Sequence, residues 1–180
     1  MAVGHNAAEK CLKPEEFDSV VRLYQRRIYR VLFLMVRDSE AADTLTQECF
    51  LRAFQKRDSF RGQASLDTWL VRIAINLGHD HTKNRRRRFW RRFVRGEEAR
   101  EEIVADTRPS PERMLVAREE LAAVWSAVDK LSQQQRTAFL LRFGEEMELE
   151  EIAAAMELQI GTVKAHLSRA VSAVKRRFEG

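Results

Sequence analysis

The sequence predicts an all-α fold, two small helical domains joined by a flexible linker, the C-terminal one containing a helix-turn-helix. Three observations predict it. Apolar residues recur at threes and fours through most of the chain, the spacing of one helix face. The 180 residues include only 7 Gly and 3 Pro, too little turn-forming material for a β-rich fold. The stretch Gly96–Pro111 then interrupts the periodicity with charges of both signs and two prolines, as a linker does.

Met1–Lys13 has no period and reads as a loose leader. From Pro14 the residues Phe17, Val20, Val21, Tyr24, Ile28, Val31, Leu32 and Met35 form one apolar stripe, a helix of about six turns. Proline suits the first position, where its missing N–H would be unpaired anyway. Asp38 or Ser39 can cap a second helix, Glu40–Gln55. On it Ala41, Leu45 and Cys49 fall on one line and Phe50 and Phe54 on another, with Asp43, Gln47 and Glu48 as a polar, mostly acidic face between them. Cys49 reads as a small buried hydrophobe.

A polar loop with glycine at 62, Asp58–Asp67, follows. Ser65 can cap a third helix whose inner face is Leu66, Trp69, Leu70, Ile73, Ala74 and Leu77. Trp69 reads as core, although an aromatic beside a polar loop could also support a stacked base. From Lys83 the chain runs KNRRRRFWRRFVR, eight cations in thirteen residues. Such a block binds phosphate by releasing counterions, and it also suits a plain solvated tail.

Beyond the linker, Ser110 and Pro111 open a helix through Lys130 with Met114, Leu115, Leu121, Val124, Trp125 and Val128 inward. Ser132 and Gln135 have capping-box spacing and start the helix of Ala138, Phe139, Leu141 and Phe143. The final stretch, Glu148–Phe178, reads as a short helix, a tight turn at Gly161, and a longer helix capped by Thr162. The first is acidic and the second basic, with Lys164, His166, Arg169, Lys175, Arg176 and Arg177 opposite an apolar line. That arrangement places a second helix in a DNA major groove.

Net charge is +5, with 33% of residues charged, so the distribution matters more than the sum: blocks of cations suit a polyanion. Cys11 and Cys49 show no framework spacing, which points to a reducing compartment. The chain lacks an apolar run long enough for a bilayer and a signal-peptide core, so a cytoplasmic, soluble protein is expected. Phosphate-cradling glycine loops, nucleophile elbows and zinc spacings are absent. His79 and His81 flank Asp80, but two residues apart on a helix they point in different directions. No metal, cofactor or catalytic residue is therefore expected, and no small-molecule substrate.

Taken together, two sets of motifs resemble one family. In the first half they are DTLTQECFLRAF from Asp43, SFRGQASLDTWLVRIAIN from Ser59 to Asn76, Asp80 and the arginine run. In the second they are LSQQQRTAFLLRF, EEIAAAM and GTVKAHLSRA from Gly161. The chain resembles a bacterial sigma factor of the extracytoplasmic-function (ECF) type, over about residues 14–95 and 111–178. It departs in carrying Ala165 where Ser is frequent, His166 where Arg is common, and Glu148 at a usual Ser or Thr cap.

The resemblance implies a division of labour. Residues 14–95 would be region 2, 96–110 a linker and 111–180 region 4. Asp43, Gln47, Glu48 and Phe50 match the segment that docks on the clamp helices of the largest subunit of core RNA polymerase, while the C-terminal domain would meet the flap. Ser59, Phe60, Arg61 and Asn76 match the element that takes the promoter −10 region as single strand, with Arg85 and Arg86 on its backbone. Thr162, Lys164, His166 and Arg169 match positions facing the −35 duplex. An anti-sigma protein, able to hold the chain at the inner membrane face, would be a further partner. Two rivals make different predictions. A stand-alone helix-turn-helix regulator would bind duplex operators without polymerase, and a nucleic-acid enzyme built on His79, Asp80 and His81 would need a metal.

Overall fold

The computed structural model describes residues 13–60, 62, 64–94 and 121–176, of which 86–94 are described by their backbone alone. The leader with Cys11, Arg61, the side chain of Arg86, the linker 96–110, the Ser110–Pro111 helix start with Met114 and Leu115, and Arg177 and Phe178 lie outside the described residues. Among those described every regular element is helical and none is a strand. No helix among them is long and apolar enough to cross a membrane.

The first half is three helices packed pairwise. A single 3₁₀ turn, Pro14–Glu16, leads into α1, Phe17–Val36. Asp38 caps α2, Ser39–Gln55, its side chain accepting from the Ala41 N–H at 2.9 Å. A second 3₁₀ turn, Arg57–Ser59, precedes the loop, and Ser65 Oγ accepts from Thr68 N–H at 3.1 Å to start α3, Leu66–Val94. The cationic block thus extends the helix rather than trailing from it. Ile28 and Leu32 of α1, Cys49 and Ala53 of α2, and Leu70, Val71 and Ala74 of α3 are all but fully buried against one another. Burial pushes the Cys49 thiol up to about 12, and its Sγ donates to the Leu70 carbonyl at 3.6 Å, which fits the inert hydrophobe expected.

In the second half, α4 spans 121–128 of the described chain, followed by α5, Gln133–Phe143, α6, Leu149–Met156, and α7, Ile160–Lys175. The Ser132–Gln135 capping box forms as the spacing predicts. Ile152, Ala153 and Ala155 of α6 pack with Val163 and Ala170 of α7 and Leu141 of α5, the small side chains permitting close approach.

The tight turn is not where the glycine suggested. Glu157 carries the left-handed backbone (φ 55°), its N–H reaching back to Ala153 and Ala154 and the Leu158 N–H bonding Ala153 O at 2.9 Å. This pair of bonds is a Schellman ending, which glycine favours but does not monopolise. Gly161 and Thr162 lie inside the first turn of α7, whose cap is Gln159. A Cβ on Gly161 would meet nothing within 4 Å. Gly161→Ala is therefore expected to raise stability by about 0.5 kcal/mol through helix propensity. A fall in the thermal midpoint would restore Gly161 as a turn residue.

One apolar core runs through both halves, because α1 meets α5 and α3 meets α6. Polar bonds frame this seam. Arg30 of α1 grips Glu145 with two hydrogen bonds, Nε to Oε1 at 2.9 Å and Nη2 to Oε2 at 2.7 Å. Arg72 of α3 donates to Ala154 O at 2.8 Å and to Glu157 at 3.0 Å. Arg37 lies 4.4 Å over the Trp125 ring and pairs with Asp129, which Arg136 also meets. The acidic residues around α6 are used in part to hold the first half, Glu145 by Arg30 and Glu157 by Arg72.

Candidate functional site

The exposed face of α2 carries Asp43 and Gln47, one turn apart, as the sequence reading requires. Glu48 is half-buried and pairs with Arg52 at 2.7 Å, so its charge is already engaged. Phe50 needs correcting. It is only 7% exposed, with its ring edge-on to Phe17 at 6.4 Å, so it is core rather than contact surface. Helical spacing fixes which residues share a line but not which line is covered. The apolar residue exposed on that line is Leu51, 53% exposed and one turn beyond Gln47. That i, i+4 spacing from Asp43 through Gln47 to Leu51 was the available signal.

The loop after α2 is organised around two rings. Phe60 and Trp69 lie 5.2 Å apart at a 47° tilt, each half-exposed while packed against the core. Ser59 is exposed and its hydroxyl donates to Lys56 O at 2.6 Å, while Gly62 takes a left-handed backbone at φ 68°. Two turns along α3 from Trp69, on the same side, Asn76 is exposed. A further two turns on stands exposed Lys83, which the sequence placed in the cationic block without singling it out as a site residue; Arg85 is also exposed, but half a turn round the helix from Asn76. An aromatic pair beside an amide that both donates and accepts, with a cation above, can stack a base, read its edge and hold its phosphate.

His79 does not join this group, nor does it form a metal site with His81. Its Nε2 is 2.8 Å from Thr137 Oγ1, across the seam. The Thr137 hydroxyl donates to Gln133 O, so Nε2 must carry the hydrogen, and burial lowers the His79 pKa toward the neutral ring. No cluster of three or more His, Cys, Asp or Glu among the described residues could hold a metal ion. Beside the seam, burial raises the Asp67 carboxyl, opposed by Arg27 at 3.2 Å.

On α7, Thr162, Lys164 and Arg169 are exposed. His166 differs: it is half-buried, and its Nδ1 is sealed off without a hydrogen-bond partner. The most open line of the helix runs through Ala165, Ser168, Arg169, Ser172 and Arg176, and Ser168, Arg169, Ser172, Lys175 and Arg176 line a shallow hollow. Ser168 and Ser172 are therefore added to the residues this helix can present to a groove.

Comparison with known proteins is consistent across the chain. Residues 20–88 match the family description Sigma-70 region 2, and residues 121–174 match Sigma-70, region 4. The chain is 34% identical to the RNA polymerase sigma-H factor of Pseudomonas aeruginosa, over 91% of its own length and 86% of that protein. It is 30% identical to the ECF RNA polymerase sigma factor SigW of Bacillus subtilis, over 91% and 89% respectively. The sigma factor RpoE of Bartonella quintana, solved with the anti-sigma factor NepR, shares the fold at a TM-score of 0.66 and 23% identity, covering 92% of this chain and 98% of that one.

Proposed function

Because the chain belongs to the ECF sigma factors and directs RNA polymerase to promoters, we propose that its first half captures the −10 element as single strand while α7 reads the −35 duplex. Asp43, Gln47 and Leu51 form the edge offered to the clamp helices of the largest polymerase subunit, with Glu48 contributing through its pair with Arg52. The second half meets the flap. The observation that carries the −10 assignment is the Phe60–Trp69 ring pair in line with exposed Asn76. Ser59 and Arg61 belong to the same loop, and Lys83, Arg85 and Arg86 follow along α3.

No reaction needs to be catalysed for a promoter to open in this way. A protein that binds an unstacked base more tightly than paired DNA shifts the duplex toward melting, provided the pocket supplies the few kcal/mol that unstacking costs. On α7, Thr162, Lys164, Arg169, Ser168 and Ser172 are the groove-facing set, with His166 at its half-covered edge. An anti-sigma protein is a further partner, and the cytoplasm, where polymerase works, is the compartment.

Run-off transcription tests this reading. Purified core polymerase is expected to give promoter-selective transcripts from a promoter library only when the chain is added. Tight duplex binding by the chain alone, with no transcript from any promoter, would replace the proposal with a stand-alone regulator.

A further inference from the structure

The proposed single-strand site is assembled from two pieces of chain. Phe60 closes the 3₁₀ turn after α2, whereas Trp69 and Asn76 stand on α3, and the two rings meet at 5.2 Å. A base is stacked and read well only if those pieces keep one relative position, since a misplacement of ~1 Å can cost on the order of 10²-fold. Local bonds shape the start of α3 without setting where it points. Ser65 Oγ accepts the Thr68 N–H at 3.1 Å, the two hydroxyls lie 2.8 Å apart, and the Ser65 carbonyl accepts the Trp69 N–H at 3.0 Å. All of these groups belong to one turn, which could swing as a unit.

The tie to another helix comes from α1. Arg27 Nη2 pairs with Asp67 Oδ2 at 3.2 Å, two residues before Trp69. Further along, a Cβ on Gly78 would stand 2.8 Å from Met35 Cε, so the two helices touch there as well. Arg27 to Met35 spans ~12 Å of α1 and Asp67 to Gly78 ~16 Å of α3, at ~1.5 Å per residue, so the helices run side by side in one direction. Met35 and Gly78 fix the middle of α3 on α1. Arg27 holds the end that meets the loop.

The pair is poorly suited to stabilising the fold. The Asp67 side chain is 17% exposed and that of Arg27 34%, yet Asp67 Oδ1 and Arg27 Nε are sealed off without a hydrogen-bond partner. Burial raises the Asp67 carboxyl; Arg27 opposes the rise, while Glu151 and Glu145 add to it. An ion pair whose desolvation is so incompletely offset contributes little to stability. Nor is Asp67 a contact for DNA, because a carboxylate repels phosphate. What the pair supplies is a fixed distance between α1 and the first turn of α3. We propose that Arg27 and Asp67 are positioning residues for the single-strand site, aiming that turn so that Trp69 and Asn76 stand in register with Phe60 around an extruded base. This inference rests on the −10 assignment proposed above.

The test uses the full chain with core polymerase, on the template that the native chain transcribes best, randomised across its −10 element. Each variant template carries a barcode in the transcribed stretch, so sequencing the run-off products gives the selectivity among −10 sequences. Asp67→Asn and Arg27→Met are each expected to lower that selectivity about 5-fold, within the range a ~1 Å misplacement allows. Arg27→Lys, which keeps the charge, is expected to retain at least half of it. The thermal midpoint of Asp67→Asn should be no lower than that of the native chain, because the neutral amide escapes the burial that opposes the carboxylate. A merely structural role would instead lower the midpoint and the total transcript together while leaving the ratio between sequences unchanged. Native selectivity in Asp67→Asn would overturn the proposal, as would equal losses in Arg27→Lys and Arg27→Met. Asn76→Ala separates the two readings. Selectivity lost there but kept in Asp67→Asn refutes the positioning role and leaves the −10 assignment standing; selectivity kept in both refutes the −10 assignment and the positioning role with it.

Discussion

Asn76→Ala is expected to reduce run-off transcription by ~10- to 100-fold while leaving the affinity for core polymerase unchanged. The size follows from the ~1–3 kcal/mol that a well-placed side chain contributes to telling one base edge from another, each 1.4 kcal/mol being about tenfold. The selectivity follows from position. Asn76 is exposed on α3 beyond the Phe60–Trp69 pair, whereas the proposed docking edge of Asp43, Gln47 and Leu51 is on α2. Truncating Asn76 removes no core contact, so the fold should be indifferent to it. Open-complex formation, followed by permanganate reactivity of unpaired thymines, should fall with the transcript, while fluorescence anisotropy of labelled chain on polymerase should not move. Equal losses in both measurements would remove Asn76 from base recognition.

Phe50→Ala is expected to cost ~3–4 kcal/mol of stability, the usual range for emptying a buried aromatic site. For a chain of this size that lowers the thermal midpoint by about 10 °C. The ring contacts Phe17 edge-on and is buried in the core, so its loss leaves a cavity there. Leu51→Ala is the matched comparison. Its side chain is 53% exposed, so stability should change by less than ~0.5 kcal/mol while polymerase binding weakens. A Phe50→Ala protein of native stability that had lost polymerase affinity would return Phe50 to the contact surface.

The two adjacent residues show how far periodicity reaches. The stripe Asp43–Gln47 was legible because helical geometry is local. Whether Phe50 or Leu51 faced outward was not, because both are apolar and each sits on a plausible line. Capping was read well where a side chain answers a backbone group three residues away, at Asp38, Ser65 and Ser132–Gln135. It was read poorly at Gly161, since the left-handed residue that turns the chain is Glu157, a residue type that carries no turn signal. Arg37 and Glu146 take the same backbone unannounced; Arg37 is held by Trp125 and Asp129 on the far side of the seam.

Helix order, the approximate bounds of most helices, the basic face of α7 and the family were all present in the residues themselves, because each depends on groups a few positions apart or on ordered motifs. The closure of one half on the other was not. Arg30 meets Glu145 across 115 positions, and Arg72 meets Glu157 across 85. No local pattern distinguishes an arginine that pairs with solvent from one that buries a distant carboxylate. Which faces remain open to polymerase and promoter, and which are occupied within the chain, is decided by packing at that range.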